Sequence, residues 1–346
     1  MTRADTSAPP RRPDRVRRRT IGLGCALAAL AAITLLSLAI GSRSVPIGSV
    51  WDALVTFDAS HDDHLIVHTL RIPRTLLGLL VGSALGVAGA LMQAVTRNPL
   101  ADPGLLGINA GAAAVVVTAI AAFGVVRPGS YLVFALLGSA ATAALVFALG
   151  GAMRGGSSPV RLVLAGVALS VVLGAFTSTV TINYPDVFDV FRFWVVGSLQ
   201  GRGYDVLIPA GVLIVVGLVL AQSLAGSLNA LALGSDAGTA LGVAVRRTWT
   251  LALVAVVLLA GSATAAAGPL AFIGLAAPHV ARLLVGPDQR WVIPFSTLIG
   301  ADVLLGADVV GRIVALPSEV PAGVITAIVG APLFIALVRR RRLAAL

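Results

Sequence analysis

The sequence predicts an all-α integral membrane protein, and three observations predict it. First, 58% of its 346 residues are hydrophobic and only 12% are charged, with a mean hydropathy of +0.97. A soluble domain carries about 25% charged residues, so a chain this apolar cannot cover a globular surface with polar groups. Second, the apolar residues form long unbroken runs. A membrane barrel needs strands of about ten residues alternating in polarity, whereas helices satisfy their own backbone in lipid. Third, the basic residues, all 25 of them arginine, sit at the ends of the apolar runs, as topology signals do. They form no basic face for nucleic acid. The lone cysteine, Cys25, excludes an intrachain disulfide and a thiolate metal cluster.

The elements follow in order. Residues 1–19 carry Pro9, Pro10, Pro13 and arginines from Arg11 to Arg19, and are expected to be a disordered cytoplasmic tail. Thr20–Ser42 is too long for a signal-peptide core of about 7–15 residues and reads as the first span. A span needs about 20 apolar residues. Further runs are Thr75–Thr96, Pro103–Val126, Pro128–Met153, Leu162–Pro185 and Val206–Ser235. Thr248–Ala281 is too long for one span and divides at Gly268-Pro269. Trp291 to about Val310 and Val320–Val338 complete ten helices over residues 20–338, with 339–346 as a short tail.

Arginine placement orients them. With the N-terminus inside, the inner segments 1–19, 97–107, 153–161, about 225–247, 282–290 and 339–346 hold 18 of the 25 arginines and five of the 15 acids. That asymmetry places both termini in the cytoplasm. Gly78, Gly82, Gly86 and Ala90 recur every fourth residue in the second span, a stripe expected to pack another helix closely.

Several stretches carry a resemblance. Arg71-Ile-Pro-Arg74 leads through Gly89-Ala-Leu-Met-Gln93 to Asn98-Pro-Leu-Ala-Asp-Pro-Gly-Leu-Leu-Gly107. Leu228-Asn-Ala-Leu-Ala-Leu-Gly234 is followed by Leu241-Gly242, then by Gly268-Pro-Leu-Ala-Phe-Ile-Gly-Leu-Ala-Ala-Pro-His279. Last come Gly300-Ala-Asp302, Asp308, Arg312, Glu319-Val-Pro-Ala-Gly323 and Gly330-Ala-Pro-Leu-Phe334. In this order they closely resemble the iron-siderophore and vitamin B12 permease family of ABC importers, over about residues 20–340. The resemblance implies the type II importer architecture, in a bacterial cytoplasmic membrane. It also implies a dimer of permeases with two ATPase subunits below and a substrate-binding protein above. The chain has no G-x-x-x-x-G-K-[ST] phosphate loop. It is therefore expected to bind no cofactor and to leave ATP and magnesium to its partners.

The resemblance assigns roles by position. Arg71, Arg74 and Arg312 would receive carboxylates of the binding protein, a contact that sets orientation and on-rate more than affinity. Leu228, Leu231, Leu233, Gly234, Gly238, Leu241 and Gly242 would form a coupling segment of two short helices seated in a groove on the ATPase. Gly238 and Thr239 depart from the family pattern there. Ser158, Pro159 and Val160 would belong to a cytoplasmic gate, although such residues also suit a plain turn. The aromatic stretch Asn183–Asp205, with Phe188, Phe191, Phe193, Trp194 and Tyr204, would be a short outer helix or an interface belt.

The remaining polar residues have other readings. His61, His64 and His68 have metal-compatible spacing but match no metal motif, and a solvated loop is the simpler account. His279 is expected to be structural or lining. Asp308 and Arg312, four residues apart, share a helical face and should pair. Asp302 would be the coupling acid if the chain were a proton-driven transporter working alone. The cargo implied by the resemblance is a ferric siderophore, with cobalamin or haem as alternatives.

Overall fold

The computed structural model describes residues 12–41, 45–125, 128–150 and 159–339. Among them the chain is all helical. The helices are α1 (Arg12–Ala39), α2 (Ile47–Val55), α3 (Asp62–Ile66), α4 (Ile72–Thr96), α5 (Ile108–Phe123), α6 (Pro128–Leu149), α7 (Pro159–Asn183) and α8 (Pro185–Val195). They continue with α9 (Tyr204–Ser223), α10 (Ala225–Ala232), α11 (Ser235–Ala240), α12 (Val245–Val256), α13 (Ser262–Ala267), α14 (Ile273–Val285), α15 (Gln289–Val314) and α16 (Ala322–Arg339). A π-turn over Val67–Arg71 joins α3 to α4, and another over Val257–Gly261 joins α12 to α13.

Seven helical stretches are long and apolar enough to cross a bilayer: Arg19–Ala39, Asp62–Thr96, Gly129–Leu149, Val160–Asn183, Tyr204–Ser223, Val245–Ala267 and Gln289–Val314. Three shorter apolar helices, Ile108–Phe123, Ile273–Val285 and Ala322–Ala336, occupy the other predicted runs. The predicted break at Gly268-Pro269 is present. Gly268, at φ +78, ends α13, and Phe272, at φ +69, precedes α14. This non-helical backbone is held inside the protein: Ser198 N donates to Ala267 O at 2.7 Å and Gly323 N to Gly197 O at 2.9 Å.

One expectation is corrected. Residues 12–19 are helical, because α1 begins at Arg12 rather than Thr20. Arginine is a good helix former, and the apolar helix that follows lets the turns propagate back into the basic stretch. Residues 1–11 and 340–346 lie outside the described residues.

Helix α4 is the axis of the molecule. Most of its residues are buried, against α15, α14, α9 and α12. The glycine stripe explains the closeness. A Cβ at Gly82 would strike the backbone of Gly300, one at Gly86 the carbonyl of Ser296, and one at Gly89 the backbone of Gly274. A Cβ at Gly78 would lie 3.0 and 3.1 Å from Leu305 and Leu199, and Ala90 packs with Ala281, Val285, Val292 and Phe295. Helices α1 and α7 are peripheral and mostly exposed along their length.

Candidate docking faces at the two ends of the bundle

The 25 residues of α4 span about 37 Å at about 1.5 Å per residue. A polar assembly sits at each end.

The Arg71 end holds a buried charge network. Arg74 straddles two carboxylates, with Nη2 2.8 Å from Asp308 Oδ1, Nε 3.0 Å from Asp308 Oδ2 and Nη1 2.7 Å from Glu319 Oε2. Arg312 approaches the other side of Asp308, through Nε at 3.1 Å and a close Nη2 contact to Oδ2. The expected Asp308–Arg312 pair is therefore present, with Arg74 as a third member. Arg312 also donates to Ser37 O at 2.7 Å and Ile40 O at 2.9 Å, and Arg71 donates to Leu38 O and Ala39 O at 2.5 and 2.6 Å. Ser37 Oγ and Thr75 Oγ1 share a hydrogen bond of 2.7 Å. These contacts clip the end of α1 to α4 and α15.

The three arginines expected to meet a partner are thus not free surface charges. Arg312 is 1% exposed and Arg71 5% exposed, and the Arg74 side chain is 13% exposed. They nevertheless line a common recess of about 590 Å³. It continues into a second recess of about 800 Å³ through Gln200, Gly201 and Arg202. Arg202 was not singled out from sequence. It is 8% exposed, and its Nε has no acceptor among the described residues. Burial lowers its pKa, against the opposing charges of Tyr131 and Asp205. The one available signal was an arginine between two glycines, Gly201 and Gly203, beside an aromatic stretch. That stretch is α8, which buries Phe191 and Trp194 and leaves Phe188 and Phe193 exposed. Tyr204 opens α9 and is 43% exposed.

The Arg97 end holds the hairpin expected to couple to an ATPase. Helices α10 and α11 meet at Gly234, whose φ of +121 favours glycine. Gly242, at φ +81, closes the second turn. Leu228 and Leu231 are buried, and Gly238 packs on Leu231. Leu233 and Leu241 are 72% and 63% exposed. The segment thus splits into anchoring leucines and presented leucines, a division that sequence reading did not make. Arg97, at φ +51, ends α4 and donates to Leu231 O at 2.6 Å. Asn229 Nδ2 donates to Asp288 Oδ1 at 2.6 Å, and Asn229 Oδ1 accepts from Gln289 N at 2.8 Å. The hairpin is therefore fastened to both α4 and α15, and it borders a cavity of about 860 Å³.

Of the expected gate residues, Ser158 lies outside the described residues, Pro159 begins α7, and Val160 is 63% exposed. His64 and His68 do not lie in the expected solvated loop: His64 is in α3 and 7% exposed, and His68 is in the π-turn. Asp58 N donates to His64 Nδ1 at 3.1 Å, His61 Nδ1 lies 3.0 Å from Asp58 Oδ2, and His68 Nε2 lies 2.8 Å from Ala53 O. The backbone N–H of Ser60 holds Asp58 below the usual carboxylate range. No group of three metal-ligating side chains occurs among the described residues. His279 is buried in α14 beside Pro99, Leu100 and Phe272.

The sequence pattern of the FecCD transport family matches residues 29–340. The chain belongs to the FecCD transport family. This FecCD chain is 47% identical over 324 residues to the ferric enterobactin transport system permease protein FepD of Escherichia coli (strain K12), covering 93% of the chain and 96% of that protein. It is 39% identical over 321 residues to the probable siderophore transport system permease protein YfiZ of Bacillus subtilis (strain 168), covering 92% of the chain and 96% of the relative. A structure solved as an inward-facing conformation of a metal-chelate type ABC transporter matches it with a TM-score of 0.79 at 28% identity. That match covers 93% of the FecCD chain and 99% of the solved one.

Proposed function

We propose that this chain is the membrane-spanning permease subunit of an ATP-binding cassette importer that carries a ferric siderophore across a bacterial cytoplasmic membrane. The observation that carries this reading is the α10–α11 hairpin. It is fastened to the bundle by Leu228 and Leu231 and presents Leu233 and Leu241 outward, an apolar projection suited to a groove on a partner ATPase. In this reading all ten apolar helices span and both termini are cytoplasmic. The Arg97 end of α4 faces inward and the Arg71 end outward. ATP hydrolysis resides in two partner subunits. The siderophore is the cargo because the two relatives named above are a ferric enterobactin permease and a probable siderophore permease.

The outer recess would receive the binding protein. Arg71, Arg74 and Arg312 form its floor, and a partner carboxylate reaching in would share or displace Glu319 on Arg74. Arg202, with an unpartnered Nε, offers the readiest contact. Arg202→Gln is expected to slow binding-protein association and flatten its salt dependence, with little change in dissociation. Surface plasmon resonance at several ionic strengths reads this, and an unchanged on-rate removes Arg202 from the docking face.

A second permease copy would complete the pathway. Helix α7 exposes Gly174, Ser178 and Thr179 at bilayer depth, and its threonines satisfy themselves on carbonyls one turn back, as Thr179 does on Ala175 O at 2.9 Å. Small and hydroxyl-bearing residues suit an aqueous passage better than lipid.

The deciding experiment reconstitutes the chain in liposomes with its ATPase and binding protein and follows radiolabelled iron–enterobactin, cobalamin and haem. Replacing Leu233 and Leu241 together by aspartate is expected to abolish ATP-driven uptake while the permease still folds. Each exposed leucine is worth about 1.5–3 kcal/mol when buried at an interface. Uptake without any ATPase would instead favour the proton-coupled reading, for which Asp302 Oδ1, buried without a partner among the described residues, is the supporting observation.

A further inference from the structure

The cavity at the Arg97 end has chemistry of its own. Arg19 of α1, Arg97 at the end of α4 and Arg282 of α14 all line it, and Asp288 is its one lining carboxylate among the described residues. Asp288 is already engaged, accepting from Asn229 Nδ2 and from Arg290 N. Arg282 is 3% exposed. Its one hydrogen-bond partner among the described residues is the neutral Gln93, through Nη2, and its Nε and Nη1 have no acceptor. A buried guanidinium without an anion is costly, and the cost falls when an anion satisfies the open edge.

We propose that this cavity binds a phosphate group, held by Arg282 with Arg19 and Arg97. Arginine's planar fork matches phosphate oxygens in pairs. Its position favours the headgroup of an anionic phospholipid. Arg19 comes from α1, a largely exposed helix, and its guanidinium lies 5.0 Å from the centre of the Trp291 ring. Arginine and tryptophan gather at the headgroup level of membranes, and basic pockets between spans take anionic headgroups there. The same cavity is walled by Leu228, Asn229 and Leu233 of the coupling hairpin, so a bound phosphate would brace the hairpin against α4 and α14. The site itself does not depend on the transport reading. Only the assignment to the cytoplasmic leaflet rests on it.

The test uses the purified full chain, in nanodiscs of phosphatidylcholine alone or with phosphatidylglycerol added. Lipids retained after transfer to detergent are counted by native mass spectrometry, and inorganic phosphate is titrated into the lipid-stripped chain by Trp fluorescence. Wild type is expected to retain phosphatidylglycerol in preference to phosphatidylcholine. Arg282→Gln should reduce that retention about 10-fold, as expected for loss of one charge-assisted hydrogen bond, and Arg282→Lys should restore part of it. Arg19→Gln, on the exposed helix, gives the same readout if Arg282→Gln does not fold. Arginine-dependent binding of inorganic phosphate without lipid retention supports the site with free phosphate as its source. Retention of neither probe by wild type, or equal retention by wild type and both glutamine variants, overturns it. Failure of both probes alongside an Arg282→Gln defect in ATPase assembly overturns it in favour of a partner carboxylate.

Discussion

Asp308→Ala is expected to cost about 3–5 kcal/mol of stability, the range for removing one partner of a buried ion pair. The consequence follows from the geometry. Asp308 is 1% exposed and is shared by Arg74 and Arg312. Its loss leaves Arg312 with backbone carbonyls and a serine hydroxyl alone, and leaves Arg74 leaning on Glu319. The ends of α1, α4 and α15 around Asp308 should then separate at lower temperature than the rest of the bundle. Thermal unfolding in detergent, followed by tryptophan fluorescence, is expected to show a marked fall in midpoint. Asp308→Asn, which keeps an acceptor and the side-chain shape, should fall less. A midpoint within experimental error of wild type would show that the network contributes specificity alone.

The second large effect concerns space rather than charge. Gly89→Ala is expected to destabilise the chain by about 1–3 kcal/mol, the usual range for overpacking a filled interior, because the added methyl meets the backbone of Gly274. Backbone cannot rotate aside as a side chain can, so α4 and α14 must separate along their length. Gly24→Ala is the control. It lies in α1 with nothing within 4 Å of the added carbon, so it should be neutral or slightly stabilising through helix propensity. Equal midpoints for the two variants would refute the close-approach account of the stripe.

How much of this was legible in sequence follows from the range of each interaction. The apolar runs, the split at Gly268, the small-residue stripe and the Asp308–Arg312 spacing are local patterns, and all appear where expected. The α10–α11 hairpin was legible because Gly234 and Gly242 punctuate it. What was not legible is long-range. Arg74 reaches Asp308 across 234 residues, and no spacing rule reports that. Burial of Arg71 and Arg312 follows from how α1 folds back over them. The division of the hairpin leucines into buried and exposed pairs depends on Arg97 and Asn229 fastening one face. Arg202 escaped notice because its loop has no periodicity to read.

The network at the Arg71 end also has an electrical reading. Three guanidinium groups, Arg71, Arg74 and Arg312, sit with the carboxylates of Asp308 and Glu319, and Asp63 adds a favourable charge at Arg71. The carbonyls of Ser37, Leu38, Ala39 and Ile40, which take Arg71 and Arg312, are the terminal acceptors of α1, where a helix dipole places roughly half a negative charge. The first helix therefore acts as a counter-ion as well as a wall. Its peptide dipoles add to the negative charge of the acidic side chains, which ties the electrostatic balance of the Arg71 end to the seating of a peripheral helix.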